Sequence, residues 1–218
     1  MSTVLFVVTG ARTLTLSDGS AHPTGFWAEE LLAPYRLLVE AGHDVVFATP
    51  GGVAPVADPA SLAEGDAVAL AAIPGLAAPR RLEDVGAFDA VFYPGGHGPM
   101  ADLATDAVSG ALLSGALDAG IPTALVCHGL AALVAATRED GALAAAGRTV
   151  AAFTDAEERQ GGLGERAPWL LETALRDRGV VVDAAEPWAD HVVVDGPLVT
   201  GQNPQSSASV ARALLERL

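Results

Sequence analysis

Lysine is absent from this chain, and cysteine occurs once, at Cys127. A single thiol excludes any intrachain disulfide, and the scattered histidines (His22, His43, His97, His128, His191) do not have zinc-ligand spacing. Long apolar runs are missing too. Half of the residues are hydrophobic, yet no uninterrupted run approaches the roughly 18 residues of a membrane span, so no membrane partner is expected. Positive charge is scarce: 12 arginines face 27 acidic residues, for a formal net charge of −15. Such a surface repels phosphate backbones and carries no basic stripe, which sets nucleic acid aside as a partner. The apolar stretch Val4–Val8 is too short for a signal peptide and has no basic residue before it. A reducing, cytoplasmic setting is the expectation.

Nucleotide signatures are also lacking. The turn Thr9-Gly10-Ala11-Arg12 has no G-x-G-x-x-G, and no acidic residue ends the second strand where a ribose would be held. Gly95-Gly96-His97-Gly98 is rich in glycine but is not followed by a Walker-type Lys and Ser/Thr. No nucleotide, metal or other cofactor is expected.

What is present is an alternation of strands and helices, read as one domain over residues 1–218. Thr3–Thr9 reads as a buried strand and Gly10–Thr24 as a polar loop. Trp27, Leu31, Tyr35 and Leu38 recur at helical spacing and Gly42 closes the helix, with a kink or break expected at Pro34. Asp44–Thr49 is the second strand. Residues 53–83 read as an excursion over the site, with a short strand at Ala67–Ala72. Asp89–Tyr93 is a strand, Met100–Ala119 a helix, and Ile121–Val126 a strand leading to Cys127 and a further helix. Arg148–Phe153 is the next strand. Ala167–Arg178 is amphipathic. Val180–Asp183 reads as another strand, and His191–Asp195 with Leu198–Thr200 as a hairpin over Asp195-Gly196. Asn203 or Ser206 can cap the final helix. The fold class is α/β: a doubly wound, mainly parallel sheet sandwiched by helices, flavodoxin-like, with ligands expected beyond the strand carboxyl ends.

Cys127 falls where a strand turns into a helix, the position of a nucleophile elbow, and Gly129 leaves room for the turn. A helix N-terminus would favour thiolate over thiol, so a depressed thiol pKa is expected. A cysteine nucleophile needs a base, an orienting group and oxyanion donors. His128 is the nearest base. Asp155, Glu157 and Glu158 can offer it a carboxylate, and the Gly95–Gly98 loop can offer N–H groups. Of the adjacent acids Glu29 and Glu30, Glu30 adjoins the apolar stripe and faces inward more readily.

Five segments in order carry a resemblance: Gly25-Phe26-Trp27-x-x-Glu30, Pro94-Gly95-Gly96-His97-Gly98, Val126-Cys127-His128-Gly129, Phe153-Thr154-Asp155-x-x-Glu158, and Thr200-Gly201-Gln202-Asn203-Pro204-Gln205-Ser206-Ser207. The chain resembles the ThiJ/PfpI superfamily, of class I glutamine-amidotransferase-like fold, and within it the heat-shock-protein-31-like branch associated with glyoxalase III. The resemblance implies Cys127 as nucleophile, His128 as its partner, Glu158 as the acid orienting His128, and Glu30 as a carboxyl group bonded to the sulfur. Glu157 is the alternative to Glu158. Gly95, Gly96 and His97 would bind substrate, with Gly96 and His128 supplying oxyanion N–H groups. The long N-terminal extension of larger bacterial relatives has no counterpart, so their metal site is not carried over. Without an acceptor domain or a downstream His-x-Glu pair, glutamine amidotransfer is not expected.

The implied activity is a cofactor-independent glyoxalase acting on small 2-oxoaldehydes such as methylglyoxal. The same thiol could serve another hydrolase or deglycase, or an oxidation-sensing stress chaperone. The superfamily's frequent homodimers leave a homodimeric state open.

Overall fold

The computed structural model describes every residue from Met1 to Leu218. In chain order the elements are β1 (Thr3–Val7), β2 (Thr13–Thr15), β3 (Ala21–Pro23), α1 (Ala28–Glu40), β4 (Asp44–Thr49), α2 (Asp66–Ala71), β5 (Arg80–Arg81) and β6 (Ala90–Tyr93). There follow α3 (Gly98–Ala101), α4 (Ala107–Asp118), β7 (Thr123–Val126), β8 (Thr149–Val150), α5 (Asp155–Gln160) and α6 (Leu171–Arg176). The chain closes with β9 (Val181–Val182), β10 (Val192–Asp195), β11 (Leu198–Gly201) and α7 (Ser207–Leu215).

Seven strands form the main sheet in the order β10-β11-β7-β6-β1-β4-β5. All neighbours are parallel except β10, which pairs antiparallel with β11 at one edge. β1, β6, β7 and β11 are almost wholly buried, which is why they read as continuous apolar runs rather than alternating ones. Phe6 and Phe92 stack at 4.8 Å in the middle of the core. From β1 the chain moves outward to β4 and β5, then returns to β6 on the other side. The order thus reverses between β1 and β6, the place where parallel sheets open a crevice at their carboxyl ends.

Several expected elements take another form. The polar loop after β1 contains the small hairpin of β2 and β3. The strand expected at Ala67–Ala72 is helix α2; the run is rich in Ala and Leu, strong helix formers, and Asp66 sits favourably in its first turn. The helix expected over Met100–Ala119 is two helices. Asp102 turns back to bind Thr9 Oγ1, Gly10 N and Ala11 N, and α4 restarts with Asp106 accepting from Ser109 N. α1 runs unbroken through Pro34.

After Cys127 the chain forms a 3₁₀ helix, Cys127–Val134, packed against α3 and α4. The strand expected at Arg148–Phe153 shrinks to β8 and that at Val180–Asp183 to β9, and these two pair outside the main sheet. Side chains take the hydrogen bonds a ladder would need: Thr149 N donates to Asp195 Oδ2 and Ala151 N to Thr200 Oγ1. No helix is long and apolar enough to cross a membrane.

Removing the ring of Phe92, which is fully buried, should cost about 3–5 kcal/mol. Urea unfolding of Phe92→Ala checks this, with Val39→Ala on the exposed side of α1 expected to stay within about 0.5 kcal/mol of the parent.

Candidate active site

Three segments meet at the crevice. Trp27 N donates to Gly95 O at 2.9 Å and Gly98 N to Gly25 O at 3.1 Å, tying the start of α1 to the loop after β6. This tie brings the fully buried Glu30 beneath the loop, where its Oε2 accepts from Gly95 N at 2.6 Å. Glycine is obligatory at Gly96, whose φ is 90° and where a Cβ would lie 2.6 Å from Trp27 N. Immediately beyond β7, Cys127 itself has φ 55°, the left-handed region that non-glycine residues rarely occupy. The elbow is therefore real, and a Cβ on Gly129 would collide with the Tyr93 carbonyl.

From the sulfur a line of contacts runs outward. Cys127 Sγ is 3.4 Å from His128 Nδ1, and His128 Nε2 is 2.7 Å from Glu158 Oε2. The His128 ring is held between Phe153 and His97, at centroid distances of 4.4 and 4.3 Å. The other oxygen of Glu158, Oε1, is 2.8 Å from His97 Nε2. Glu158 is buried and stands on α5, whose N-terminus is fixed by a reciprocal cap between Thr154 and Glu157.

Of the two adjacent acids, it is Glu158 whose carboxylate faces His128. Glu157 points away from the histidine and accepts from Thr154 N and Oγ1, Trp188 N, Gln202 Nε2 and Asn203 Nδ2. It thereby holds the segment bearing Trp188, whose backbone sits at φ 66°. Gln202 and Asn203, conspicuous in the sequence, serve this carboxylate. Gly95 departs from its expected role: its N–H is spent on Glu30, and it forms no part of the cavity wall. Gly96 and His97 do line the cavity.

That cavity, of about 220 Å³, opens onto Cys127 and is walled by Trp27, Phe153, Leu163 and Trp188, with His22 and Asp58 beside His97. Trp188, Leu163 and His22 lie outside the chemistry-bearing motifs, and nothing in the local sequence marks them. Donor atoms of His22, Asp58 and His97 lie within 4.8 Å of one another, as do those of His97, His128 and Glu158. Either trio has donors of a kind that bind divalent metals.

The charged groups are pushed in opposite directions. Burial raises the Glu30 carboxyl from its ordinary 4.5 to about 8, against the lowering effect of the Cys127 and Gly95 hydrogen bonds. Its Oε1 has no hydrogen-bond partner, and the Cys127 thiol is a neighbour of the carboxyl group. Burial also pushes the Cys127 thiol up, and the Glu30 charge adds to this; the backbone N–H groups of His128 and Gly96 act the other way. The expected acidified thiol is thus opposed by its surroundings, because two adjoining buried groups cannot both be anionic. His128 is lowered by burial and by the neighbouring His97, which favours the neutral imidazole. Glu158 is held well below the usual carboxylate range by His128 and His97, which outweigh its burial.

Comparison with known proteins agrees with this architecture. A doubly wound sheet with a cysteine elbow defines the class, and the DJ-1/PfpI family pattern matches residues 22–217. The chain belongs to the DJ-1/PfpI family. It is 32% identical over 206 residues to a bovine (Bos taurus) protein named glutamine amidotransferase-like class 1 domain-containing protein 1, covering 93% of this chain and 91% of that one. A Staphylococcus aureus protein named protein/nucleic acid deglycase HchA is 27% identical, over 99% of this chain and 79% of its own length. A Schizosaccharomyces pombe relative, named "Probable glutathione-independent glyoxalase hsp3104", is 37% identical over 134 residues, 58% of this chain and 60% of that one. The solved structure of glyoxalase III from Candida albicans shares the fold, with TM-score 0.83 at 23% identity, across 100% of this chain and 97% of that one.

Two outcomes follow from the electrostatics. Between pH 4.5 and about 8 the native Glu30 keeps a proton that the unfolded chain has lost, so its contribution to stability falls as pH rises through that window. Thermal unfolding of Glu30→Gln should therefore show a shallower loss of Tm from pH 5 to pH 8 than the parent. Alkylation of Cys127 by iodoacetamide should rise only above the ordinary thiol range in the parent and at lower pH in Glu30→Gln, where the competing negative charge is gone. Equal midpoints would show that the carboxyl does not govern the sulfur.

Proposed function

We propose that this protein is a glutathione-independent glyoxalase that converts methylglyoxal and similar 2-oxoaldehydes to 2-hydroxy acids. The observation that carries the reading is the buried line Glu30, Cys127, His128, Glu158 ending on a small, largely apolar cavity. At about 220 Å³ the cavity is below the roughly 300–1,000 Å³ of sites for drug-sized ligands, a size suited to a three-carbon aldehyde. The names of the S. pombe and C. albicans proteins point the same way.

In this reading neutral His128 takes the thiol proton through Nδ1 as Sγ bonds to the aldehyde carbon. It then passes that proton to the aldehyde oxygen, giving a hemithioacetal. Glu158 keeps the imidazole in the tautomer with its lone pair toward the sulfur. The amides of Gly96 and His128 stabilise negative charge as it develops on that oxygen. Because its pKa lies near the working pH, Glu30 is ionised in part of the protein; in that form it takes the proton from the aldehyde carbon, leaving an enediolate, and returns it to the neighbouring carbon. Water then cleaves the thioester to release the hydroxy acid and the free thiol. The S. aureus relative's name favours a second use of the same chemistry, removal of such aldehydes from glycated groups; the narrow cavity favours the free aldehyde.

Purified protein should form lactate from methylglyoxal with a chelator present and no glutathione. Cys127→Ala should abolish this turnover, Glu30→Gln should slow it at least about a hundredfold, and Glu29→Gln, at an exposed position, should leave it nearly unchanged. Retention of turnover by Cys127→Ala would overturn the reading.

A further inference from the structure

Glu158 serves two imidazoles. Its Oε2 is 2.7 Å from His128 Nε2 and its Oε1 is 2.8 Å from His97 Nε2. A carboxylate held ionised is acceptor-only, so each Nε2 carries a hydrogen toward Glu158, and Nδ1 is the nitrogen at which either ring can gain or lose a proton. One carboxylate thus orients two imidazoles through the same ring nitrogen. His128 directs its Nδ1 at the sulfur, 3.4 Å away. The His97 ring, 4.3 Å from that of His128 and also on the cavity wall, has no sulfur to serve. Structural support for Glu158 would not require a histidine here, since any donor would satisfy Oε1.

The chemistry proposed above leaves one proton transfer without a carrier. Converting the hemithioacetal to the thioester moves a hydrogen from the first carbon to the second, which Glu30 can do. It also requires that the oxygen on the first carbon lose its proton to become the thioester carbonyl, while the ketone oxygen on the second carbon gains one to become the hydroxyl. We infer that His97 is a catalytic residue that carries this proton from one substrate oxygen to the other, with its ring anchored by Glu158.

In the step, the His97 Nδ1 lone pair takes the proton of the first oxygen as the C=O bond of the thioester forms. The imidazolium so created is balanced by Glu158, and Nδ1 then gives the same proton to the second oxygen. His97 ends as it began, and the redox change is internal to the substrate: one carbon is oxidised and its neighbour reduced. The inference rests on the glyoxalase reading. Other titratable groups around the ring are His22, which meets it edge-on at 6.1 Å, and Asp58, besides His128 and Glu158.

The test uses the full chain and His97→Gln, whose amide can still donate to Glu158 but cannot carry a proton. Methylglyoxal turnover in this variant should fall about a hundredfold or more, while the rate and pH midpoint of Cys127 alkylation stay those of the parent. Added free imidazole should restore part of the turnover. If alkylation slows in step with turnover and imidazole restores nothing, His97 acts through Glu158 as a positioning residue, and the inference is overturned. Parental turnover in His97→Gln overturns it as well, with the glyoxalase reading left standing. A parent protein inactive on methylglyoxal overturns both, which separates the two failures.

Discussion

Beyond the ends of β6 and β7 the backbone is packed more tightly than side chains permit, and the site depends on that crowding. A Cβ on Gly95 would lie 2.6 Å from Glu30 Oε2, and one on Gly98 would lie 2.6 Å from Thr9 Cγ2. Glycine at these positions lets the loop after β6, the start of α1 and the elbow after β7 touch through backbone atoms. Cys127 is then forced into a left-handed conformation that costs on the order of 1–3 kcal/mol. That strain persists because β7 lies deep in the sheet between β6 and β11, where the surrounding core fixes both ends of the turn.

Within this frame, three buried carboxyl groups are given different environments and therefore different work. Glu158 faces two imidazole donors and stays ionised. Glu157 is saturated by five donors and acts as a rivet, joining α5 to the Trp188 segment and to the loop after β11. Glu30 receives a single backbone N–H, with a thiol for its other neighbour, and so retains a proton to about pH 8. Carboxyl groups whose pKa values are driven apart are the arrangement from which acid and base roles are read. The difference between Glu157 and Glu158 is one residue of sequence, or about 100° around the helix. That rotation separates a structural anchor from a group facing His128.

Much of this was legible in the chain itself. The buried parallel strands announce themselves as short apolar runs, because both of their faces are covered. The glycine clusters mark the places of close approach, and the single cysteine marks the elbow. Legibility failed where side chains replaced backbone pairing. Nothing local to Arg148–Phe153 shows that Asp195 and Thr200 will take its hydrogen bonds, nor that Asp102 will end a helix by reaching back to Thr9 and Gly10.

The sequence by itself determined the fold class, the order of the strands' apolar runs, and the identities of Cys127, His128 and an inward-facing Glu30, because periodicity and turn chemistry act over a few residues. Tertiary structure alone decided that Glu158 rather than Glu157 faces His128, that Gly95 serves Glu30, and that His97 joins the same carboxylate. It also decided the charge state of the site. The helix N-terminus inferred from sequence would acidify the thiol, but burial and the facing carboxyl act in the other direction. Desolvation is a property of everything packed around a group, and the partners here come from segments up to 97 residues apart in the chain, from Glu30 to Cys127.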